Sequence, residues 1–334
     1  MTVFFRRLAG HLARGVVMIL VVATISFFIV RNIPGDPVAA HFSKLVEQGM
    51  SPEAAKQATS VMYGFLPDGS LWEQYRDYIF GLFRGDLGVS VTHPGQKVTS
   101  VLAEATKWTV LPVLIGTLLS FLVGITLGVY AAIKRSGKLG DALAISGSLL
   151  HGVPQYVIAL VLSAVFATLI PILPADGPVD ILYEPGWNSG YLASLFDHAV
   201  LPICTYAISA YGGWILAMKS SVVTVLGDDF ILAAELRGMK RSIIFRYIAR
   251  NAILPLFTIL ALSLGLLLGG AVFIERIFNY PGLGQLLIDS MTQRDYALMG
   301  GAFLLITVAI IVANILADLF YTVIDPRVRS SEEV

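Results

Sequence analysis

The sequence predicts an all-α polytopic membrane protein with six transmembrane helices, cytoplasmic N- and C-termini, and a large extracytoplasmic segment between the first and second helices. Three observations lead to this fold class. The 334 residues are 56% hydrophobic and only 14% charged, and the mean hydropathy is +0.76, a balance that soluble domains do not have. Apolar runs of bilayer length recur along the chain. Basic residues concentrate in the short connections between those runs.

The first predicted span covers about residues 8–30. A basic N-terminus followed by an apolar run is also typical of a cleaved signal peptide, but here Arg31 follows without a small-residue cleavage site. We therefore expect an uncleaved helix, so that residues 1–30 comprise a short cytoplasmic N-terminus and the first span.

The segment 31–107 is polar and too long to be a simple connection. Within it, Ser51-Pro52-Glu53 has the order of an N-cap, a first helical position and an acidic first turn. From Leu71 to Phe83, aromatic and aliphatic residues recur at helical spacing. This amphipathic helix either lies at the membrane interface or packs against the rest of the segment, and the sequence favours neither placement.

Five further spans are predicted in the remaining part, 108–334, at about 108–133, 142–174, 199–218, 252–274 and 296–323. The run at 142–174 is longer than one crossing needs and contains Gly152-Val153-Pro154, so we expect a kink or break there. His151 lies about 15 Å inside this run. An ionisable group at that depth is either a functional residue or a histidine that is hydrogen-bonded to a neighbouring helix.

The connection at about 219–252 is the most polar stretch in the second half of the chain. Asp228-Asp229 suits a helix N-terminus, Ala233-Ala234 allows close approach, and Gly238 suits the helix stop because a positive φ costs it little. A second, basic helix is predicted over 240–250. Two short helices joined at a glycine indicate a docking element, and an ordinary basic loop is the alternative.

Charge predicts the orientation of the chain. Of the 23 Lys and Arg residues, 14 fall at the two termini and in the connections around 134–138 and 219–250. The positive-inside rule places these parts in the cytoplasm and places 31–107, 175–198 and 275–295 outside. The outer parts carry 15 acidic and nine basic residues. That excess suits a cationic or zwitterionic solute, and it is equally typical of a solvated surface.

Several classes of site are excluded or disfavoured by the sequence. The single cysteine, Cys204, excludes an internal disulfide and a multi-cysteine metal site, and the five histidines show no ligand spacing. The chain has no P-loop motif, so any ATP must be bound by another chain. A secondary transporter would need intramembrane carboxylates, and Asp318 is the single deep one. A membrane receptor or scaffold would explain the docking element but not the break near residue 152.

The chain resembles the integral-membrane permease subunits of binding-protein-dependent ABC importers, with the dipeptide/oligopeptide permease branch the nearest. The order and spacing of several motifs along nearly the whole chain carry the resemblance. These motifs are Pro34-Gly35-Asp36-Pro37, Tyr63-Gly64, Arg84-Gly85-Asp86-Leu87-Gly88, Leu173-Pro174, Ala233-Ala234-x-x-x-Gly238, Ile253-Leu254-Pro255, Tyr280-Pro281-Gly282-Leu283-Gly284-Gln285-Leu286, Arg294-Asp295-Tyr296 and Asp318-Leu319-x-Tyr321-x-x-x-Asp325-Pro326-Arg327. Departures occur at Leu232, where the family has an acid, at Glu235, where the branch often has a basic residue, and in the run 64–69.

The resemblance implies roles for the candidate residues. In this family the cytoplasmic loop docks into a groove of the ATPase subunit. By resemblance, Ala233, Ala234 and Gly238 make that contact, and Glu235 and Arg237 form its polar rim. His151 and Pro154 are candidates for the translocation path or its gate.

The resemblance also implies the assembly and its location. The expected partners are a homologous second permease, two cytosolic ABC ATPases (different, or a homodimer of one), an extracytoplasmic substrate-binding protein and membrane lipid. This chain is expected to have no catalytic residue, cofactor or metal, because ATP and Mg are bound by the ATPases. No binding of nucleic acid is expected. The location is the bacterial or archaeal cytoplasmic membrane. The branch carries peptides most often, but also short oligosaccharides and nickel chelates.

Overall fold

The computed structural model describes residues 2–32, 37–63, 70–90, 92–93, 95–133 and 137–324. Across these ranges the regular elements are helices, and the β-structure amounts to one antiparallel bridge between Val89 and Lys97. The helices are α1 (Thr2–Asn32), α2 (Pro37–Glu47), α3 (Pro52–Tyr63), α4 (Leu71–Phe83), α5 (Val98–Ile133), α6 (Lys138–His151), α7 (Gln155–Ser163), a π-helix (Ala164–Leu169), α8 (Ser189–Leu226), α9 (Asp229–Leu236), α10 (Arg241–Ala252), α11 (Leu254–Gly270), α12 (Val272–Ile277), α13 (Leu283–Thr292) and α14 (Tyr296–Ile324). The predicted all-α class is confirmed.

Five helical segments of the described chain are long and apolar enough to cross a membrane, and a bent helix pair makes a sixth if it counts as one span. The five are Ala9–Ile29, Val98–Ile133, Ser189–Leu226, Arg241–Ser263 and Tyr296–Leu316. The bent pair consists of α6 followed by α7 and the π-helix, which meet at 97°. This bend confirms the break that Gly152-Val153-Pro154 predicted. The spans predicted at 108–133 and 199–218 are longer in the structure, and the one predicted at 252–274 both begins and ends earlier, at Arg241–Ser263.

The chain divides into two compact units, one made of residues 1–109 and 281–311 and the other of 110–280 and 312–334. In the first unit, α4 packs on α1 through aromatic rings. The ring centroid of Phe27 lies 5.5 Å from those of Tyr75 and Tyr78, and Thr24 Oγ1 lies 2.8 Å from the Tyr75 hydroxyl. Burial raises the pKa of Tyr78 to about 12.

A capping box starts α4. The Glu73 amide donates to Ser70 Oγ, and the Ser70 amide donates to the Glu73 carboxylate. These bonds to Ser70 hold the pKa of Glu73 below its usual value. The apolar stripe is divided: Tyr75 and Tyr78 pack on α1, whereas Trp72 and Phe83 are 70% and 68% exposed. The helix therefore packs on α1 through part of its apolar stripe, and its placement at the membrane interface stays a prediction.

A buried carboxylate fixes a loop to the start of α14 in the first unit. Asp295 is fully buried, and its Oδ2 accepts hydrogen bonds from the Ser90 hydroxyl at 2.5 Å and from the Thr92 amide and hydroxyl at 3.0 and 2.9 Å. Its Oδ1 accepts from the Leu298 amide at 3.0 Å, in the first turn of α14. The loop and the helix N-terminus thus share one acceptor group.

Glycines bring helices of the second unit into close contact. Along α5, a Cβ atom on Gly116, Gly124 or Gly128 would collide with side-chain and backbone atoms of α8. A Cβ atom on Gly212 of α8 would overlap the carbonyl oxygen of Gly147 on α6. Small residues allow membrane helices to approach at the backbone. The α5, α6 and α8 helices therefore pack without intervening side chains at these positions.

Candidate functional site

The α9 helix follows α8 after a short turn. Asp228 is the N-cap residue, with extended backbone, but its side chain accepts no capping hydrogen bond, and Asp229 supplies the acid of the first turn. The predicted helix start is therefore confirmed in position. Asp228 and Asp229 place negative charge near the N-terminus of α9, where the helix dipole favours it.

The α9 helix ends in a Schellman motif centred on Gly238. Gly238 has φ +66°, its amide donates to the Glu235 carbonyl at 2.9 Å, and the Met239 amide donates to the Ala234 carbonyl at 3.2 Å. Met239 packs against the apolar cluster beneath the helix. Glycine is favoured here because the left-handed conformation has no Cβ penalty.

One face of α9 is anchored on its neighbours. Ile231 and Ala234 are 2% and 5% exposed, and they belong to a buried apolar cluster with Val222 of α8 and with Ile244 and Ile248 of α10. The α8 and α10 helices are also joined by a 2.7 Å hydrogen bond, from the Ser221 hydroxyl to the Ala252 carbonyl. The packing and this bond tie α9 to the end of α8 and to α10.

The opposite face of α9 is open. Ala233, Glu235, Arg237 and Gly238 are all exposed, and a Cβ atom on Gly238 would meet no atom within 4 Å. Of the five residues predicted for the ATPase contact and its polar rim, four thus lie on the accessible surface of α9. Ala234 lies in the apolar cluster instead, because it shares a helix face with Ile231 three residues earlier.

Two residues on this surface were missed from the sequence. Leu232 and Leu236 are 56% and 80% exposed, and their spacing of four residues places them on one side of α9. Leu232 and Leu236 therefore add apolar area to the exposed surface of α9. No signal in the sequence distinguishes the faces of this eight-residue helix, because the choice of the buried face depends on contacts with α8 and α10.

The second candidate region is the bend between α6 and α7. His151 is the last residue of α6 and is exposed, and Pro154 is the N-cap residue of α7. A Cβ atom on Gly213 of α8 would lie 3.1 Å from His151 Nδ1, so the imidazole rests directly on the α8 backbone. Within the described ranges His151 makes no hydrogen bond, and its role in the translocation path or gate stays a prediction.

The α7 helix after the bend also contacts α12. The ring centroids of Tyr156 and Phe273 are 6.0 Å apart. The bend therefore lies where α6, α7, α8 and α12 meet in the second unit. Over the ranges that the structure describes, no group of three or more His, Cys, Asp or Glu residues could hold a metal ion.

Comparisons with known proteins agree with this architecture. Residues 124–330 match the family model described as binding-protein-dependent transport system inner membrane component. The chain is 32% identical over 326 residues to the dipeptide transport system permease protein of Escherichia coli K12, covering 92% of this chain and 94% of that protein. It is 30% identical over 316 residues to a putative peptide permease of Brucella suis biovar 1, covering 94% and 96%. It is 28% identical over 330 residues to an oligopeptide transport system permease protein of Bacillus subtilis 168, covering 96% and 100%.

The family match spans more than half of the chain and contains both candidate regions, the exposed surface of α9 and the bend after His151. The relatives are transport permeases, and the family is one of inner-membrane components, in agreement with the multiple apolar helices. The chain belongs to the family of inner-membrane components of binding-protein-dependent transport systems.

Proposed function

We propose that this permease subunit forms half of the translocation path of an ATP-driven importer for oligopeptides. The observation that carries the proposal is the open face of α9, an exposed surface held on a buried apolar cluster. The relatives named as dipeptide, oligopeptide and putative peptide permeases support peptides as the substrate class. Short oligosaccharides and nickel chelates remain the alternatives that the experiment below includes.

The proposed orientation follows the distribution of charge. Both termini and the connection 219–252 face the cytoplasm, because the short basic connections lie on that side. The segments 31–107, 175–198 and 275–295 face outward. Residues 31–107 receive the substrate-binding protein, and residues 108–334 form the five-helix core that carries the docking surface.

The proposed partners are a homologous second permease, two cytosolic ABC ATPases or a homodimer of one, and an extracytoplasmic binding protein. ATP and Mg are bound by the ATPases. A groove of an ATPase receives the docking surface, defined as Leu232, Ala233, Glu235, Leu236, Arg237 and Gly238. Ala234 acts from beneath by keeping α9 in contact with α8 and α10.

The same packing suggests how movement is transmitted. Ile231 and Ala234 are buried against α8 and α10, so a partner that displaces α9 displaces those helices with it. Packed elements of this kind move as rigid bodies. The bend between α6 and α7 then forms the gate, where His151 and Pro154 adjoin the α8 backbone at Gly213.

The proposal is tested on the chain purified with its co-encoded partners in lipid. ATPase activity is measured with the binding protein loaded in turn with oligopeptides, oligosaccharides or nickel chelates. Stimulation by peptide-loaded binding protein alone is the expected result. Stimulation by another loaded class would overturn the substrate assignment. An intact complex without ATPase activity under all three conditions would overturn the importer mechanism.

A further inference from the structure

The first unit contains an apolar cavity of about 640 Å³ between α1, the C-terminal end of α4, α5 and α14. Its walls include Val16 and Leu20 of α1, Phe83 of α4, Leu102 and Ala103 of α5, and Leu304 of α14. None of these residues belongs to the docking surface or to the bend at His151. The cavity is large enough for a ligand of small-molecule size.

The lining is unsuited to a polar ligand. Of the residues that line the cavity, Thr99 and Thr106 alone carry a polar side-chain atom. The Thr106 hydroxyl already donates to the Leu102 carbonyl at 2.7 Å. A peptide or sugar would lose its hydrogen bonds to water and form few new ones in the cavity, so its transfer from water would have an unfavourable free energy. The lining therefore selects a hydrocarbon chain.

The cavity opens toward the surroundings of the helices. Val16 is 48% exposed and Phe83 is 68% exposed, although both line the cavity. The α1 and α14 residues of the lining fall within the candidate spans Ala9–Ile29 and Tyr296–Leu316. In an inner-membrane protein, the openings beside α1 and α14 therefore face lipid hydrocarbon, whereas the end of α4 belongs to the segment 31–107 and borders the membrane surface.

A cation stands at the edge of the cavity. Arg84 is exposed and lies between Phe83 and Gly85, both of which line the cavity. Within the described part of the chain its side chain has neither an ion pair nor a hydrogen bond. A guanidinium group pairs well with phosphate oxygens. Trp72 and Phe80, 70% and 57% exposed on the same α4 helix, are residue types that favour the headgroup level of a bilayer.

We propose that this cavity binds one acyl chain of a phospholipid whose phosphate pairs with Arg84. The apolar walls fit the acyl chain, and the unpaired guanidinium at the edge fits the anionic phosphate. Bound lipid would join α1 and α4 to α5 and α14 and so stabilise the first unit. The proposal requires only that the chain lies in a membrane, and it is independent of the transported substrate.

The test uses the complete complex, delipidated in dodecyl maltoside and then titrated with dioleoylphosphatidylglycerol. Native mass spectrometry measures the lipid retained per copy of this chain. Ala103→Phe fills the cavity and should lower lipid affinity at least roughly tenfold, because acyl methylenes lose their contacts. Val123→Phe is the matched control, since Val123 is a 47% exposed α5 residue outside the cavity. Equal retention by the two variants and the wild type would overturn the proposal.

The phosphate contact is tested separately. Arg84→Gln should weaken binding of the same lipid about fivefold, whereas Arg84→Lys, which keeps the charge, should weaken it less. Identical affinities in all three proteins would overturn the assignment of Arg84.

Photo-crosslinking benzoylphenylalanine in place of Phe83, an exposed aromatic residue that lines the cavity, identifies the occupant directly. In membranes, a mass increase equal to one phospholipid supports the proposal. A crosslink to another protein chain would overturn it, because the cavity would then hold part of a neighbouring subunit.

Discussion

Two properties of Gly238 can be separated by substitution. Its φ of +66° favours glycine, and the space around its Cα is open for a partner. Alanine strains the left-handed conformation by about 1–2 kcal/mol, whereas asparagine adopts it more readily but adds a larger side chain. Asparagine is therefore the better substitution for the left-handed conformation, and alanine is the better one for the approach of a partner.

We predict that Gly238→Asn leaves the Tm of the purified chain close to the wild-type value and lowers co-purification of the ATPase. Gly238→Ala should lower the Tm more and co-purification less. Differential scanning fluorimetry and pull-down measure the two effects. Undiminished ATPase capture and uptake by Gly238→Asn would contradict a close approach at this residue.

Asp295 is fully buried in the first unit and its carboxylate accepts four hydrogen bonds. Asp295→Asn keeps the size of the side chain but replaces one acceptor oxygen with a donor that faces the Ser90 and Thr92 donors. We predict a loss of roughly 1.5–3 kcal/mol of stability, the range for hydrogen bonds to charged groups. Denaturant unfolding of the purified chain in detergent measures this loss of stability.

The control for that change is Asp77→Asn, which removes a carboxylate that is 38% exposed and paired with Arg76. Exposed pairs contribute little, so its stability should change by less than about 1 kcal/mol. Equal effects of the two substitutions would mean that the Asp295 hydrogen bonds do not hold Ser90 and Thr92 at the start of α14.

At the scale of the elements, the close crossing of α6 and α8 leaves no space for a side chain at Gly212. Gly212→Ala places a methyl group on the Gly147 carbonyl, so the helices must separate, with an expected destabilisation of about 1–3 kcal/mol. Gly300→Ala in α14 is the control, because nothing lies within 4 Å of its Cβ. Thermal unfolding in detergent compares the two, and matching Tm values would contradict the close crossing.

The α9 helix presents the second element-scale prediction. Leu236→Glu changes a side chain that is 80% exposed, so the fold should keep its wild-type Tm. Loss of the apolar contact should lower binding of the ATPase by roughly tenfold or more, as for an interface anchor. Val61→Glu on α3, at 62% exposure, controls for an added surface charge. Unchanged ATPase affinity of Leu236→Glu would remove this residue from the docking surface.

Sequence reasoning succeeded for elements with strong local signals. The Gly152-Val153-Pro154 break and the Gly238 stop follow from backbone preferences that tertiary packing does not override. The buried position of Ala234 was missed because it depends on which face of a short helix packs against α8 and α10. That choice is made by contacts distant in sequence, such as Ile248, and local periodicity over eight residues cannot resolve it.

The limits of the α8 span were missed for a different reason. The helix continues from Ser189 to Leu226, although Asp197, His198 and Lys219 mark polar ends in the hydropathy pattern. Hydropathy reports the part of a helix that lies in hydrocarbon, and a helix continues into the polar region wherever its backbone hydrogen bonds persist. The predicted span is therefore shorter than the helix.

For the molecule as a whole, the proposed orientation is open to a direct measurement. With Cys204→Ser as the background, Ile181→Cys at 98% exposure and Leu236→Cys at 80% exposure report on different connections. We predict that a membrane-impermeant maleimide labels Ile181→Cys in intact spheroplasts and labels Leu236→Cys only after permeabilisation. The reverse pattern would invert the assignment of both termini and of the docking surface.

The length of α8 has a mechanical consequence. Its 38 residues extend for about 57 Å at 1.5 Å per residue, well beyond the roughly 30 Å of a hydrocarbon core. The contact of Gly212 with Gly147 lies about 35 Å from the N-terminal end of α8 and about 21 Å from its C-terminal end, so we expect it to act as a pivot. A tilt of about 10° around this contact would move the two ends by roughly 6 Å and 4 Å in opposite directions. A displacement of α9, which follows the C-terminal end of α8, would then move the N-terminal end of α8 in the opposite direction.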